Sequence, residues 1–198
     1  MPIGSHSIVS HVARALEDNR PRRILDLGIG FGFYGAVVRQ WLDQGVRPWS
    51  TYLAGVEAWG RYCNPLWDLY DLVTVNTIQD YLTSSTEQFD FVIMNDVLEH
   101  LAPEEGRKVL QEIEPVINPG GHLIVGTPAR YFEQDAVNGN EFERHRSYWT
   151  ADQLRPLGFT ILLDGSEPQL GFPMLLGIRQ IDAPSRGGPP TPAHFCAP

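Results

Sequence analysis

A cluster of glycines directly behind an apolar run is the first group of residues whose type and spacing indicate chemistry. In the segment ILDLGIGFGFYG, residues 24–35, three glycines stand at alternate positions and a fourth follows. Glycine loses more backbone freedom on folding than any other residue, so a tight turn alone explains this density poorly. Glycines between a strand and a helix let the main chain approach a ligand closely. We therefore predict a ligand-binding turn formed by Gly28, Gly30, Gly32 and Gly35.

The glycine spacing also separates possible nucleotide ligands. A dinucleotide fingerprint requires G-x-G-x-x-G, whereas Phe33 occupies the position of the third glycine here. A phosphate-binding loop would carry G-K-[ST], which is missing as well. The spacing therefore disfavours an NAD-linked oxidoreductase, which we keep as an alternative class.

Polar side chains follow other apolar runs in the same way. Glu57 ends the run TYLAGVEAW, Asn76 and Thr77 follow a weaker run, and NDVLEHL follows the strongly apolar FDFVIMNDV. Because ligands of open α/β sheets bind outside the carboxyl ends of the strands, we expect these side chains to share one cleft. The titratable members of NDVLEHL are Asp96, Glu99 and His100.

Alternating strand and helix patterns predict the elements that would position these residues. Helices are expected over residues 5–19, 33–45, 102–121 and 150–159, and a short helix followed by a loop over residues 78–88. Strands are expected over residues 22–28, 51–59, 71–77, 89–97, 121–128, 159–165 and 173–181. This alternation predicts an α/β fold, doubly wound, with a mostly parallel seven-stranded sheet and helices on both faces.

Length and composition limit the remaining possibilities. The 198 residues suit one domain over residues 1–181, followed by a Pro-rich tail, 182–198, that we expect to be flexible. A net charge of −9 disfavours a nucleic-acid partner. Neither a membrane span nor a secretory signal is recognisable, which favours a cytoplasmic protein. The two cysteines, Cys63 and Cys196, suggest neither a disulfide framework nor a zinc site.

The motifs LDLGIGFG, GVEAW and NDVLEHL, in this order, resemble those of class I S-adenosylmethionine-dependent methyltransferases, over about residues 20–180. The resemblance implies a Rossmann-like methyltransferase fold, S-adenosylmethionine as the cofactor, and Glu57 holding the two ribose hydroxyls. A carboxylate suits that task because it accepts two hydrogen bonds at once. The residues that the resemblance assigns to cofactor binding are Asp26, Gly28, Gly30, Gly32, Glu57, Ala58, Asn76, Thr77 and Asp96.

The segment NGNEFERHRSYWT, residues 138–150, follows the fifth predicted strand and carries many polar and aromatic side chains. We interpret it as a lid over a small-molecule or glycan-like acceptor, methylated at oxygen; a solvated charged loop is the alternative. His100 is the first candidate for a general base, although it could also merely brace the next helix. The candidate catalytic residues are His100, Glu99, His145, Glu141 and Arg146, with Asn140 and Trp149 as further acceptor contacts.

Two further alternatives remain open at this point. Glu141, Glu143 and His145 alternate and could place three metal ligands on one side of an extended segment, but hard divalent cations usually require more oxygen donors, so no metal is expected. The chain could also bind S-adenosylmethionine without catalysis and act as a partner or sensor. The elaborated segment 138–150 favours an enzyme over such a binding module.

Overall fold

The computed structural model describes residues 6–166 and 171–182, and its centre is a seven-stranded sheet. The strand order is β3-β2-β1-β4-β5-β7-β6, and only β7 runs antiparallel to its neighbours. This arrangement confirms the predicted doubly wound, mostly parallel sheet. The strands are β1 (Arg23–Leu27), β2 (Tyr52–Glu57), β3 (Leu72–Val75), β4 (Phe89–Asn95), β5 (Ile117–Pro128), β6 (Thr160–Asp164) and β7 (Met174–Gln180).

Helices cover both faces of the sheet, as predicted. The helices are α1 (Val9–Asn19), α2 (Phe33–Trp41), α3 (Ile78–Ser84), α4 (Pro103–Glu112) and the short α5 (Ala151–Leu154). The buried side chains of α1 and α2 belong to one apolar cluster, and those of α3, α4 and α5 belong to a second. Within the described parts of the chain, no helix is long and apolar enough to cross a membrane.

The helix predicted over residues 102–121 is shorter in the structure, and this part of the prediction was wrong. It begins as expected at Pro103, where the Glu105 carboxylate accepts a hydrogen bond from the Ala102 N–H at 3.0 Å. It ends at Glu112, because Ile117 already pairs with Phe89 of β4. Strand pairing therefore overrides the helical pattern before the Pro-Gly-Gly punctuation is reached.

Strand β4 is the central platform under the site. Phe91 and Ile93 face one apolar cluster, Val92 and Met94 face the other, and all four are fully buried. Burying side chains of this size stabilises the fold by about 1.5–3 kcal/mol each. The end of β4 is therefore held rigidly, which fixes the polar residues that follow it.

The segment after β5 packs into the core through the buried side chain of Trp149. This indole is 2% exposed, and its Nε1–H donates to the Ser147 Oγ at 2.9 Å. The ring packs on α4 at Gly106, where an added Cβ would lie 2.6 Å from it. The proposed boundary of the domain at residue 181 stays a prediction, and residues 183–198 of the predicted tail lie outside the described part of the chain.

Candidate active site

The turn after β1 forms one wall of a cleft through its main chain. Gly28 and Gly30 adopt φ angles of 74° and 53°, in the left-handed region that favours glycine. The Gly28 N–H donates to the Val56 carbonyl at 2.8 Å, and a Cβ at Gly28 would come within 2.5 Å of a Val97 methyl carbon. Bare backbone is therefore required for the turn to pack against Val97, and both glycines line the cleft.

Asp26, Gly32 and Gly35 lie beneath this wall instead of lining it. The Tyr70 hydroxyl donates to Asp26 Oδ2 at 2.7 Å and accepts from the Gly35 N–H at 3.0 Å. A Cβ at Gly35 would lie 2.5 Å from the Tyr70 ring, and one at Gly32 would lie 3.1 Å from the Trp67 ring. Burial raises the pKa of Asp26 to about 7. These residues support the turn from below.

Glu57, at the end of β2, connects the turn to the cleft. Its carboxylate accepts from the Gly30 N–H and from the Trp59 N–H, both at 2.8 Å, and the residue is 6% exposed. Burial raises the pKa of this carboxyl above its usual value, although the two N–H donors oppose the shift. Each oxygen has a further lone pair, so Glu57 can brace the turn and still accept hydrogen bonds from a ligand. Ala58 lines the cleft beside it.

The two residues after β3 differ in position. Thr77 lines the cleft, and its Oγ1 also caps α3 by accepting from the Asp80 N–H at 3.2 Å. Asn76 does not line the cleft, because its Oδ1 accepts from the Thr77 N–H at 2.9 Å. Its own N–H donates to the Glu57 carbonyl at 3.0 Å. Asn76 therefore holds the chain between β3 and α3.

The end of β4 supplies one buried polar side chain, Asn95, that the sequence analysis did not select. Asn95 is 6% exposed and lines the cleft, and neither its Oδ1 nor its Nδ2 has a hydrogen-bond partner among the described residues. The buried Tyr34 hydroxyl, on α2, lies close to the Asn95 side chain and has no well-aligned partner among the described residues either. Asp96, which follows, has a φ of 53° that turns the chain into the cleft. Unpaired buried polar atoms cost about 1–3 kcal/mol each, which points to a ligand that completes them.

Three titratable side chains meet at the opposite end of the cleft. Atoms of Glu99, His100 and His145 that could ligate a metal lie within 4.8 Å of one another. The two imidazole centroids are 5.0 Å apart, and Glu99 is 3% exposed, with its Oε2 accepting from the Thr127 hydroxyl at 2.9 Å. Among the described residues, the alternative set of Glu141 and Glu143 with His145 is not brought within ligating distance.

The hydrogen bonds of the two imidazoles fix their tautomers. The His100 Nδ1 lies 3.3 Å from the Arg144 carbonyl oxygen, and the His145 Nδ1 lies 2.9 Å from the Phe132 carbonyl oxygen. A carbonyl only accepts, so each Nδ1 must carry the proton and each Nε2 must carry a lone pair. Burial lowers the pKa of His100 to about 4 and also lowers that of His145. Both rings are therefore uncharged at neutral pH.

Burial has the opposite consequence for Glu99. Its carboxyl is removed from water and lies near the negative charge of Asp96, and both effects raise its pKa well above the usual value. The end of the cleft that holds Glu99, His100 and His145 thus carries less charge than its residue types suggest.

The segment after β5 closes this end through a buried polar contact. The Tyr62 hydroxyl donates to Glu143 Oε1 at 2.8 Å and accepts from the Asn140 Nδ2 at 3.0 Å, and Asn140 is 1% exposed. Arg146 lines the cleft and donates to the His100 carbonyl at 2.8 Å. Glu141 is exposed and pairs with Arg144 at 3.1 Å, outside the cleft. Trp149, expected to contact the acceptor, lies in the core instead.

These groups line one continuous cleft of ≈ 970 Å³. The sequence-predicted residues that line it are Gly28, Gly30, Glu57, Ala58, Thr77, Asp96, Glu99, His100, Asn140, His145 and Arg146. Asp26, Gly32, Asn76 and Glu141 do not line it. Lining residues that the sequence analysis missed include Asn95, Tyr62, Phe132 and Phe172. Asn95 alone had a local signal, since it directly precedes Asp96 in NDVLEHL.

Comparison with known proteins defines the class to which this fold and cleft belong. A family model described as a methyltransferase domain matches residues 5–158. The chain therefore belongs to this family, the class I S-adenosylmethionine-dependent methyltransferases, and S-adenosylmethionine is the methyl donor of that class.

The chain is also similar, at low sequence identity or over part of its length, to individual proteins named for S-adenosylmethionine or for methyl transfer. Carboxy-S-adenosyl-L-methionine synthase from Actinobacillus succinogenes is 33% identical over 73 residues, which cover 37% of this chain and 30% of that protein. An O-methyltransferase family protein from Burkholderia thailandensis superposes with a TM-score of 0.62 at 19% identity, over 89% of this chain and 55% of that one.

A third relative has S-adenosyl-L-homocysteine bound. The N-methyltransferase NodS from Bradyrhizobium japonicum superposes with a TM-score of 0.59 at 18% identity, over 87% of this chain and 85% of that one. At identities below 25%, these two superpositions show similarity of fold alone. The chain matches about a third of the length of the curated relative and about half of the Burkholderia protein.

Proposed function

We propose that this protein transfers a methyl group from S-adenosylmethionine to a hydroxyl oxygen of a small-molecule or glycan-like acceptor. One observation carries the proposal. A single cleft joins the Gly28–Gly30 main chain and the Glu57 carboxylate at one end to two uncharged imidazoles at the other. Donor and acceptor groups for a two-substrate transfer are thus present in one enclosed space.

The donor end of the cleft fits S-adenosylmethionine. Glu57 offers acceptor lone pairs to the two ribose hydroxyls while its hydrogen bonds to Gly30 and Trp59 keep it in place. Asn95 offers an unpaired donor and acceptor that suit the carboxylate and ammonium groups of the methionine portion. The bare main chain at Gly28 and Gly30 admits the ligand without a side chain in its path.

The acceptor end supplies a proton acceptor. The bound cosubstrate provides a methyl group on a sulfonium, which leaves as a neutral thioether. A hydroxyl acceptor must lose its proton as the new C–O bond forms, and the Nε2 lone pair of His100 or His145 can take it. The protein otherwise contributes by holding the two reactants in line. An uncharged imidazole can accept a proton, which a hydroxyl acceptor must lose and an acceptor that is already anionic need not lose. Its presence therefore favours methylation of a hydroxyl oxygen.

The size and lining of the cleft favour a small acceptor. Small-molecule sites span about 300–1,000 Å³, and ≈ 970 Å³ leaves room for a second molecule beside the cosubstrate. The aromatic rings of Phe132, Phe142 and Phe172 line this end together with the polar groups of Asn140 and Arg146. Such a surface suits a hydroxylated ring. The net charge of −9 disfavours a nucleic-acid acceptor.

Two measurements on the purified protein test the proposal. Calorimetry should show stoichiometric binding of S-adenosylhomocysteine, and a panel of phenols, sugars and amines with S-adenosylmethionine should yield product with hydroxylated acceptors. Substituting His100 or His145 by alanine should lower kcat by about 10²–10⁴-fold and change S-adenosylhomocysteine affinity little. His11→Ala, on the exposed side of α1, is the matched control.

The outcomes separate the competing functions. Tight S-adenosylhomocysteine binding with no product from any acceptor would support a binding module instead of an enzyme. Product from amines alone would overturn the assignment to oxygen. Binding of NADH in place of S-adenosylhomocysteine would overturn the donor assignment.

A further inference from the structure

We propose that Glu99, His100 and His145 bind one divalent transition-metal ion, such as Zn²⁺, at the acceptor end of the cleft. Their ligand atoms lie within 4.8 Å of one another, although the residues come from two separate parts of the chain. Two imidazoles and one carboxylate are a ligand set that zinc uses in catalytic sites, where a fourth position stays open.

The hydrogen bonds around the imidazoles are those of metal ligands. A ligating histidine almost always donates its other ring N–H to a carbonyl or carboxylate, which orients the ring. Here the Nδ1–H of His100 points to the Arg144 carbonyl and that of His145 points to the Phe132 carbonyl. Both Nε2 lone pairs are left for an ion, and among the described residues neither has a hydrogen-bond partner.

The carboxylate is oriented in the same way. The Thr127 hydroxyl donates to Glu99 Oε2 at 2.9 Å, which orients the carboxyl group, and one of its oxygens lies within 4.8 Å of a ring nitrogen of each histidine. Glu99 is itself fixed by its position, because its carbonyl accepts from the Arg146 N–H at 2.7 Å and from the Ser147 N–H at 3.1 Å. Glu99 thus lies opposite the segment that carries His145, and the same hydrogen bonds tie both halves of the site together.

The spacing requires only a small closure. Three ligands at about 2.1 Å from a tetrahedral zinc ion are about 3.4 Å apart, so the three side chains must approach by little more than about 1 Å. His145 lies on the segment after β5 and His100 on a short turn after β4, so torsional adjustment of the side chains supplies this closure.

The chemical type of the ion follows from the donors. The expectation of no metal considered hard cations, which need several oxygen ligands. Imidazole-rich sites instead suit zinc and its transition-metal neighbours. The following consequence rests on the proposed function and would replace its general base: an ion here would bind the acceptor hydroxyl and lower its pKa, so that the hydroxyl would release its proton to solvent water while the imidazoles hold the metal.

Metal binding to the full chain, freed of any affinity tag and stripped with a chelator, tests the inference directly. Calorimetric titration with Zn²⁺ should give one site per chain, and Co²⁺ should give the visible absorption of a low-coordinate protein site. His145→Ala and Glu99→Gln should each weaken Zn²⁺ binding by at least about 10-fold. His11→Ala and His122→Ala, whose histidines lie outside the cleft, should bind as the wild type does.

S-adenosylhomocysteine affinity, measured on the same samples, reports whether each variant is folded and separates the two proposals. Variants that bind S-adenosylhomocysteine normally but lose Zn²⁺ would support the site. Wild-type protein that binds S-adenosylhomocysteine but no stoichiometric Zn²⁺ would overturn the metal inference alone. Equal Zn²⁺ binding by the His145→Ala and His11→Ala variants would also overturn it.

Discussion

Replacing Glu57 by glutamine is the sharpest perturbation of the donor end of the cleft. Both carboxylate oxygens accept from backbone N–H groups, those of Gly30 and Trp59, at 2.8 Å. The nearly isosteric amide of glutamine has one oxygen and one NH₂ group, so one backbone donor must face another donor. The substitution thus removes a hydrogen bond to the turn and the negative charge that accepts the ribose hydroxyls.

The expected magnitude follows from these losses. An unpaired buried donor costs about 1–3 kcal/mol, and a hydrogen bond to a charged group contributes about 1.5–3 kcal/mol. The unpaired backbone donor also destabilises the protein without ligand, so only part of that energy weakens binding. We therefore expect S-adenosylhomocysteine to bind about 3 kcal/mol more weakly, which is a roughly 150-fold increase in Kd. Isothermal titration calorimetry at neutral pH measures it. Glu112→Gln, which removes a largely exposed ion pair on α4, is the matched control.

The pH dependence gives a second measurement on the same variant. The pKa of Glu57 is raised by burial, so its ionised form, which the hydroxyls require, is lost on acidification earlier than for an ordinary glutamate. Wild-type affinity should therefore begin to weaken on acidification at a higher pH than an ordinary glutamate would give, and that of Glu57→Gln should stay nearly constant. A folded Glu57→Gln variant that binds S-adenosylhomocysteine within about threefold of wild type would refute the assignment of the ribose site.

Two further predictions concern the support beneath the turn. The pKa of Asp26 is raised from 3.8, its ordinary value, to about 7 in the folded protein, so the folded state holds the Asp26 proton more tightly than the unfolded chain does. The resulting contribution to the free energy of unfolding is fully present below pH 3.8 and is lost as the pH rises through about 7. Asp26→Asn, which mimics the neutral acid, should remove up to roughly 4 kcal/mol of that pH dependence in urea unfolding, and parallel wild-type and variant profiles would contradict this. Gly35→Ala places a Cβ 2.5 Å from the Tyr70 ring and should cost about 1–3 kcal/mol, seen as a thermal midpoint several degrees lower; an unchanged midpoint would show that the ring moves freely.

The fold could be predicted because its signals are local. The apolar runs identified each of the seven strands, and the continuous apolar centre of β4 matches its burial on both faces. The error at the end of α4 arose where two local signals competed. Proline and glycines at 119–121 indicated a helix stop, but residues from Ile117 onward pair with β4. Long-range pairing of this kind leaves no trace in a window of neighbouring residues.

The glycine cluster shows how far a motif can be interpreted without coordinates. It was attributed as a whole to a ligand, whereas only Gly28 and Gly30 line the cleft. Gly32 and Gly35 are small because the rings of Trp67 and Tyr70 pack against them. These aromatic residues follow β2, more than thirty positions away, so their contact with the turn could not be read from the motif itself. The buried Arg39, which pairs with the buried Asp43 and with the more exposed Asp71, was unpredictable for the same reason.

The acceptor end depends on tertiary contacts even more strongly. His100 and His145 are 45 positions apart, and neither sequence context indicates that both Nδ1 atoms meet carbonyl groups. Those two hydrogen bonds decide the chemistry, because they leave the Nε2 lone pair of each ring without a proton, in a cluster where one ligand atom from each ring and from Glu99 lie within 4.8 Å of one another. If only one ring were fixed in this way, a single general base would suffice to explain it. Fixing two rings and a carboxylate around one point is redundant for a single proton transfer, but it is what an ion with three ligands requires.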